Sequence, residues 1–531
     1  MRLIAGLDFI TMARAQQSRL GIEALRDLRA ARRRRYAENL AWLDTLYRIY
    51  VGVIFGGWGL ALVSGALADA NVGEHGIGQI REHGPAVCGL LVALATAAGL
   101  RSGARGGPLA LEAAEVQHVL LAPIDRGAAL RPLALRQLRT PCFFGAVLGA
   151  IAGNFAFRRL PGSPAEWLAA GAVFGALLPV FFLASAMAAS GRRVPPVKAT
   201  LVGVLLIGWS TLDLLTGTMT SPATLAGEIA VWPLRSDAGP IVGIAAALLL
   251  AFVGLRWAPG LSLEAARRRA TLAAELRFAV TVQDLRTVVL LRRQLAAETP
   301  RQRPWLRLGR RFPGGAVFRR GLQSHLRWPV VRVARFLAFG VIAGLAIAGT
   351  LKGTTPLVAV GGLVLLLAAF DAVEPLAQEV DHPTRRDLVP VRPDSLIRRH
   401  LLAPTAAMTL VCLLGAATAA VAEQSAGVLV IGAGLALPVA FLLLCAAALS
   451  ASNDPYAFLL NPGLGYVQTA GPILLAIAGV GFPVLVTREA GGAGQTPAGA
   501  AISAGLWVLA LAGVAAWYLG HRIASQAPVK P

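Results

Sequence analysis

Residues 427–450 read GVLVIGAGLALPVAFLLLCAAALS, an unbroken run without a charged side chain. As a helix this run is about 36 Å long, enough to cross the roughly 30 Å hydrocarbon core of a bilayer. Runs of the same kind recur along all 531 residues. Hydrophobic residues make up 56% of the chain and charged residues 15%, and mean hydropathy is +0.63. A soluble globular chain carries roughly a quarter charged residues. A soluble enzyme and a disordered scaffold are thereby excluded. Backbone groups in lipid must be satisfied within the segment, which makes the spans helices. The fold class is an all-α polytopic membrane protein.

Working outward from 427–450, the sequence predicts twelve spans: 49–69, 84–100, 141–157, 165–190, 198–216, 239–257, 334–351, 355–373, 403–422, 427–450, 469–487 and 499–519. Charge tests this count. The 50 Lys and Arg residues give a net charge of +22. With the N-terminus in the cytoplasm and the spans alternating, 44 of the 50 fall on the cytoplasmic side. The outer side receives Arg81, Arg158, Arg159, Arg235, Lys352 and Arg488. A wrong count would scramble this split, so the bias supports both number and direction. It also accounts for the basicity without a nucleic-acid partner. The expected place is a bacterial plasma membrane, multi-pass, with both termini cytoplasmic. No cleavable signal peptide is visible in the polar, Arg-rich first 45 residues.

The chain reads as built twice. In each half two spans precede a long cytoplasmic loop and four spans follow it, at an offset near 260–270 residues. Residues 123–131 (PIDRGAALR) and 390–398 (PVRPDSLIR) occupy the same place in the two halves. Six spans per half is even, so the halves are expected as parallel repeats. The expected organisation is a cytoplasmic N-terminal amphipathic region (1–48), a first six-span half (49–257), an Arg-rich cytoplasmic connector (258–333), a second six-span half (334–519) and a cytoplasmic tail (520–531). The connector carries 16 Arg and no Lys. It is either a platform for a partner or for anionic lipid headgroups, or a solvated link.

Catalytic motifs are missing. The dipeptide Gly-Lys occurs nowhere, so the chain has no P-loop. HExxH and G-x-S-x-G are also absent. Seven scattered His and four Cys without CxxC spacing suggest no metal site. Within the spans Asp213 is the clearest acid. Such a residue is costly to place and is a functional candidate, the alternative being a hydrogen-bonded structural Asp near the end of its span.

The segment 109–131, LALEAAEVQHVLLAPIDRGAALR, holds the most specific signal. Leu109, Ala113, Val116 and Leu120 recur at helical spacing, and Glu112, Glu115 and His118 lie on another face. The spacing predicts a short amphipathic helix stopped by Pro123, a turn at Asp125-Arg126-Gly127, and a second helical stretch from Ala128. A helix–turn–helix there is a lever on two spans. The alternative is an inert hairpin lying among headgroups.

The run from Glu115 to Arg131 (acidic-x4-Leu-Leu-x-Pro-Ile-Asp-Arg-x3-Leu-Arg) resembles the ABC-2 type permeases of bacterial ABC exporters. The resemblance implies six spans per half and an amphipathic connecting helix before the first span. It also implies a coupling helix, between the second and third spans, that docks on a separate ATPase subunit. In the second half Glu379, Asp381, His382 and Arg392 stand in the equivalent loop. It further implies that this chain binds no cofactor, that ATP and Mg are held by two copies of a partner ATPase, and that an amphiphilic substrate leaves the cell between the halves. One departure concerns the outer connection before the last span. It is long at 217–238, where the family has re-entrant segments, and short at 488–498. Two rivals remain: a secondary transporter of the major-facilitator kind, and a non-transporting scaffold. The long loop after span 2 and the scarcity of intramembrane acids weigh against the first rival.

Overall fold

A computed structural model describes residues 20–31, 34, 72–107, 111, 115–122, 124–235, 239–281, 291, 300–309, 315–376, 393–451, 462–492, 494 and 496–525. Ten of its helices are long and apolar enough to cross a bilayer. They match ten predicted spans. The predicted span 355–373 is a shorter apolar helix, Leu357–Ala372. Its 16 residues reach about 24 Å, less than a full hydrocarbon core. The predicted span 49–69 lies outside the described residues. The chain divides into two compact units, one running to Ala274 and the other from Glu275 to Pro531. Within the 258–333 connector, residues 258–274 thus belong to the first unit and the rest to the second.

In the first unit the helices are α1 (Glu74–Ala104), α2 (Arg126–Phe157), α3 (Pro164–Gly191), α4 (Pro196–Thr216), the short α5 (Pro222–Gly227), α6 (Gly239–Trp257) and the part of α7 (Leu263–Thr281) up to Ala274. A 3-10 segment, Glu228–Leu234, joins α5 to α6. α2 packs along α3, α3 on α1 and α6, and α1 on α4. Local sequence sets several boundaries. Asp125 caps α2 by accepting from Ala128 N at 2.8 Å. Ser163 and Glu166 form a reciprocal capping box at the start of α3, followed by Pro164 at its first position. Gly217, at φ 69°, ends α4 in the left-handed conformation that glycine adopts without strain.

Lipid supplies no hydrophobic drive between helices, so close packing of small residues must hold the bundle. The α2–α3 seam shows how. Gly145, Gly149 and Gly153 lie on one stripe of α2, and Gly171 and Gly175 on one stripe of α3. A Cβ added at Gly149 would sit 2.0 Å from Gly171 O, and one at Gly145 would sit 2.2 Å from Gly175 O. Only hydrogen fits there. On the faces turned away from these seams Phe143, Phe144 and Leu148 of α2 and Leu248, Leu249 and Phe252 of α6 are exposed, as a lipid-facing surface requires. Gly149→Leu should therefore destabilise the unit by about 3 kcal/mol through overpacking. Gly208→Leu, where an added Cβ meets nothing within 4 Å, should be neutral. Heating each variant in detergent and measuring the monodisperse fraction checks both.

The second unit contains α8 (Ala316–His325), α9 (Val330–Leu351), α10 (Leu357–Ala372), α11 (Pro393–Glu423), α12 (Ala426–Ala451), α13 (Pro462–Gly492) and α14 (Pro497–Ser525). Its core runs through α12, where Leu442, Leu443, Leu444 and Cys445 are fully buried. α11 packs along α12, α12 on α10 and α14, and α10 on α13. That neighbour order repeats the first unit's, with α10, α11, α12, α13 and α14 standing for α1, α2, α3, α4 and α6. The units differ where α5 and the 3-10 segment pack against α1, α3 and α6, and where α13 packs on α12 and α14 while α4 packs on α1 and not substantially on α3 or α6.

Two predicted details change. The second helical stretch expected from Ala128 is not separate from span 3: α2 runs unbroken from Arg126 to Phe157. Pro132 and Pro141 lie inside it without ending it. The helix expected before Pro123 is, among the described residues, a single π turn, Glu115–Val119. The expected helix–turn–helix is thus a π turn followed by a non-helical stretch and a long helix that is itself a candidate span.

Candidate functional site

In the first unit the helix ends carrying Arg101, Arg105, Arg126, Arg192, Lys198 and Arg256 define an Arg-rich face. Here the chain from α1 to α2 is seated on an apolar cluster. Leu111, Val116 and Leu120 from the connecting segment meet Ala129, Leu130 and Ala134 of α2. Leu183 and Met187 of α3, Leu261, and Ala266 and Ala270 of α7 complete it. Val116 and Leu120 are thus buried as their spacing predicts. Helical segment 20–31 adds Leu25 to the cluster, and Arg29 Nη2 donates to Ala129 O at 3.1 Å. That bond ties the N-terminal amphipathic region directly to the start of α2.

Above this base His118, Asp125 and Arg126 are exposed. The three candidates share one turn-and-cap surface. Asp125 also has a structural task as N-cap, and Gly127 behind it is buried, with its missing Cβ 3.1 Å from Asp125 Oδ2. Of the other candidates, Glu115 opens the π turn. Glu112, Glu379, Asp381, His382 and Arg392 lie outside the described residues.

At the opposite end of this unit Asp213 is completely buried. Its carboxylate accepts from Thr218 Oγ1 (3.0 Å), Thr220 Oγ1 (2.6 Å), Thr220 N (3.2 Å) and Ser221 N (2.8 Å). Ser221 in turn caps α5 through Thr224 N at 3.0 Å. The structural alternative weighed for Asp213 describes this geometry: the acid fastens the chain as it turns back after α4. α5 then lies against α1, where an added Cβ at Gly89 would meet Thr224 Cα at 2.4 Å. Glu228, 3% exposed, pairs with Arg235 Nε at 3.3 Å, and Arg235 Nη1 donates to Arg81 O at 3.0 Å. Sequence reasoning placed Glu228 in a long connection without seeing that it is buried. The available signal was Gly239, whose missing Cβ would overlap the Glu228 carboxylate.

A further ionic cluster, unseen in the sequence, joins the start of α9 to the end of α10 in the second unit. Arg335 Nε donates to Asp371 Oδ2 at 3.0 Å, and Arg332 pairs with Glu374. The Arg332 guanidinium stacks 4.2 Å from the Trp328 ring, and Trp328 meets Phe336 edge-on at 5.1 Å. His325, at the end of α8, is buried with Nδ1 2.8 Å from Gly321 O and Nε2 3.2 Å from Ala372 O. Both nitrogens face carbonyl oxygens, yet a neutral imidazole has one N–H to donate. Burial pushes the His325 pKa below its ordinary 6.5, helped by Arg332 and opposed by the two carbonyls and Glu374. The unfolded chain then binds the extra proton more readily than the folded one. Stability is full above about pH 6.5 and falls as pH drops from there toward the lowered value. His325→Gln should flatten this slope, which melting curves between pH 5 and 8 would record.

Among the described residues no cluster of three or more His, Cys, Asp or Glu could hold a metal ion. No family model, curated protein or solved structure matches the chain.

Proposed function

We propose that this chain is the membrane subunit of an ATP-driven ABC exporter. It would carry both six-span halves of an ABC-2 type permease and be driven by a separate ATPase present in two copies. The observation that carries the reading is the exposed His118–Asp125–Arg126 surface at the root of α2. A force applied at Asp125 or Arg126 would act on the first residues of a helix that is itself a candidate span, since cap and span are continuous from Asp125 to Phe157. The shared neighbour order of the two units supports a parallel repeat of six spans each, twelve in all, with 49–69 as the first. Together with the positive-inside bias, it supports a plasma-membrane location with both termini and the Arg-rich face cytoplasmic.

On this reading the chain does no bond chemistry. ATP and Mg stay on the partner, whose closure presses on the turn, and the two halves exchange one packing for another. The substrate class that suits the apolar, weakly charged spans is an amphiphile or hydrophobic molecule.

Affinity purification from the native membrane tests the proposal. A P-loop ATPase should return at two copies per chain, and inside-out vesicles should take up substrate with ATP, inhibited by vanadate. Transport by the purified chain alone on an ion gradient, collapsed by a protonophore, would establish the major-facilitator alternative instead.

A further inference from the structure

Residues 300–330, which lead into α9, carry eight Arg and no acidic residue. Within them residues 300–309 form no helix and lie as a strap against the corner between α8 and α9. Arg301 N donates to Arg327 O at 2.8 Å, and Trp305 N to Leu326 O at 2.9 Å. The Trp305 indole Nε1 donates to Trp328 O at 2.9 Å. The corner beneath is itself fixed. Trp328 is buried against Phe336, and His325 reaches Ala372 O at the end of α10.

Pinned in this way, the strap holds apolar side chains outward. Trp305 is 49% exposed and Leu306 61%. The Arg301 guanidinium stacks 3.8 Å from the Trp305 ring. Arg303 and Arg307 flank the Trp-Leu pair in the strap, and Arg327 lies across the backbone bond from Arg301; all three are exposed. Asp371 and Glu374, the carboxylates at the nearby end of α10, are already paired with Arg335 and Arg332. The arginines alone would suit a solvated link. An exposed Trp-Leu pair does not, because water penalises its apolar surface.

Depth in the bilayer identifies what covers the pair. α9 has 22 residues and is about 33 Å long, just enough to cross the hydrocarbon core. Trp328 lies two residues before α9 begins, so the strap bonded to it stands at the level of the headgroups. Trp is favoured at that level, and basic segments beside a span are attracted there by anionic lipid.

We propose that the 300–309 strap docks on anionic phospholipid in the leaflet where α9 begins. Trp305 and Leu306 enter the boundary between headgroups and acyl chains, and Arg301, Arg303 and Arg307 meet the phosphates. An acidic protein surface would match the arginines; the apolar pair at headgroup level selects lipid. The surface lies within one unit and does not depend on the export reading, since no ATPase enters the measurement.

The test places a bimane label on Leu306→Cys in the full chain, with the partly exposed Cys88 and Cys142 changed to Ala and the buried Cys412 and Cys445 kept. The labelled chain is placed in nanodiscs of dioleoyl phosphatidylcholine with and without dioleoyl phosphatidylglycerol. Phosphatidylglycerol should reduce quenching of the label by neutral acrylamide about threefold. Arg301→Ala, Arg303→Ala and Arg307→Ala together should abolish that protection. Equal quenching in both kinds of nanodisc overturns the proposal and leaves the strap to an acidic protein partner. Protection that persists in the triple variant overturns the role of the arginines. Should the labelled chain fail to fold, native mass spectrometry compares the unlabelled wild type with Trp305→Ala carrying the same three substitutions. The wild type should retain at least one more phosphatidylglycerol per chain, and an equal number overturns the proposal.

Discussion

Asp213→Ala is expected to lose about 3–5 kcal/mol of stability, the largest effect of any single polar substitution in the first unit. The carboxylate is completely buried and accepts from two backbone N–H groups and two threonine hydroxyls. Removing it leaves the buried Ser221 N without its acceptor, which costs roughly 1–3 kcal/mol, and takes two further bonds from Thr220, an exposed residue, and one from Thr218. The damage should spread, because Ser221 also caps α5 and α5 fills the space between α1 and α6. Asp213→Asn keeps one acceptor oxygen and should lose about half as much. Thermal melting of the detergent-purified variants measures both. The same pair separates the two roles proposed for this residue. A group that relays protons would show normal melting and abolished transport in Asp213→Asn. That outcome would remove the structural assignment and favour an ion-coupled carrier.

How far the sequence reached depends on the period of its signals. Span positions are legible because about twenty apolar residues are needed to cross a bilayer, and no other element demands such a run. So 427–450 and α12 coincide almost residue for residue. The burial of Val116 and Leu120 was legible for a similar reason, since apolar spacing of four residues marks one face. What periodicity could not show is where a helix starts. The helical stretch expected from Ala128 and the span expected at 141–157 are one helix, α2, with Pro132 and Pro141 inside it. Both prolines lie beyond the first turn of α2, where each forgoes one i→i−4 bond, and the helix around them carries the loss. The buried pairs were invisible for another reason. Glu228 with Arg235 and Arg335 with Asp371 are long-range or turn-closing contacts, set by packing. A charge at the end of a span looks interfacial in sequence whether or not another element covers it. Asp371, at the end of α10, is 4% exposed.

The second large effect concerns the exposed turn at the root of α2. On the proposed export reading, Arg126→Glu combined with His118→Glu should weaken association with a partner ATPase at least tenfold and reduce ATP-driven export in proportion, while melting stays at the wild-type value. Neither side chain is needed for the fold. Both are exposed, and the turn is held from below by Val116, Leu120, Ala129 and Leu130. Exposed charges away from buried features usually change stability by less than about 0.5 kcal/mol. Across a docking surface, reversing a charge brings like charges together and costs more than a tenfold change in affinity, about 1.4 kcal/mol. Asp125→Ala is the contrasting variant. It removes the N-cap of α2 and should lower stability by about 1 kcal/mol whatever the partner does. A loss of association in the Arg126 and His118 variant without a loss of stability therefore marks the turn as a contact surface. If that variant binds its ATPase and exports normally, the turn is only a cap for α2. On the export reading, the driving force would then have to enter the chain elsewhere.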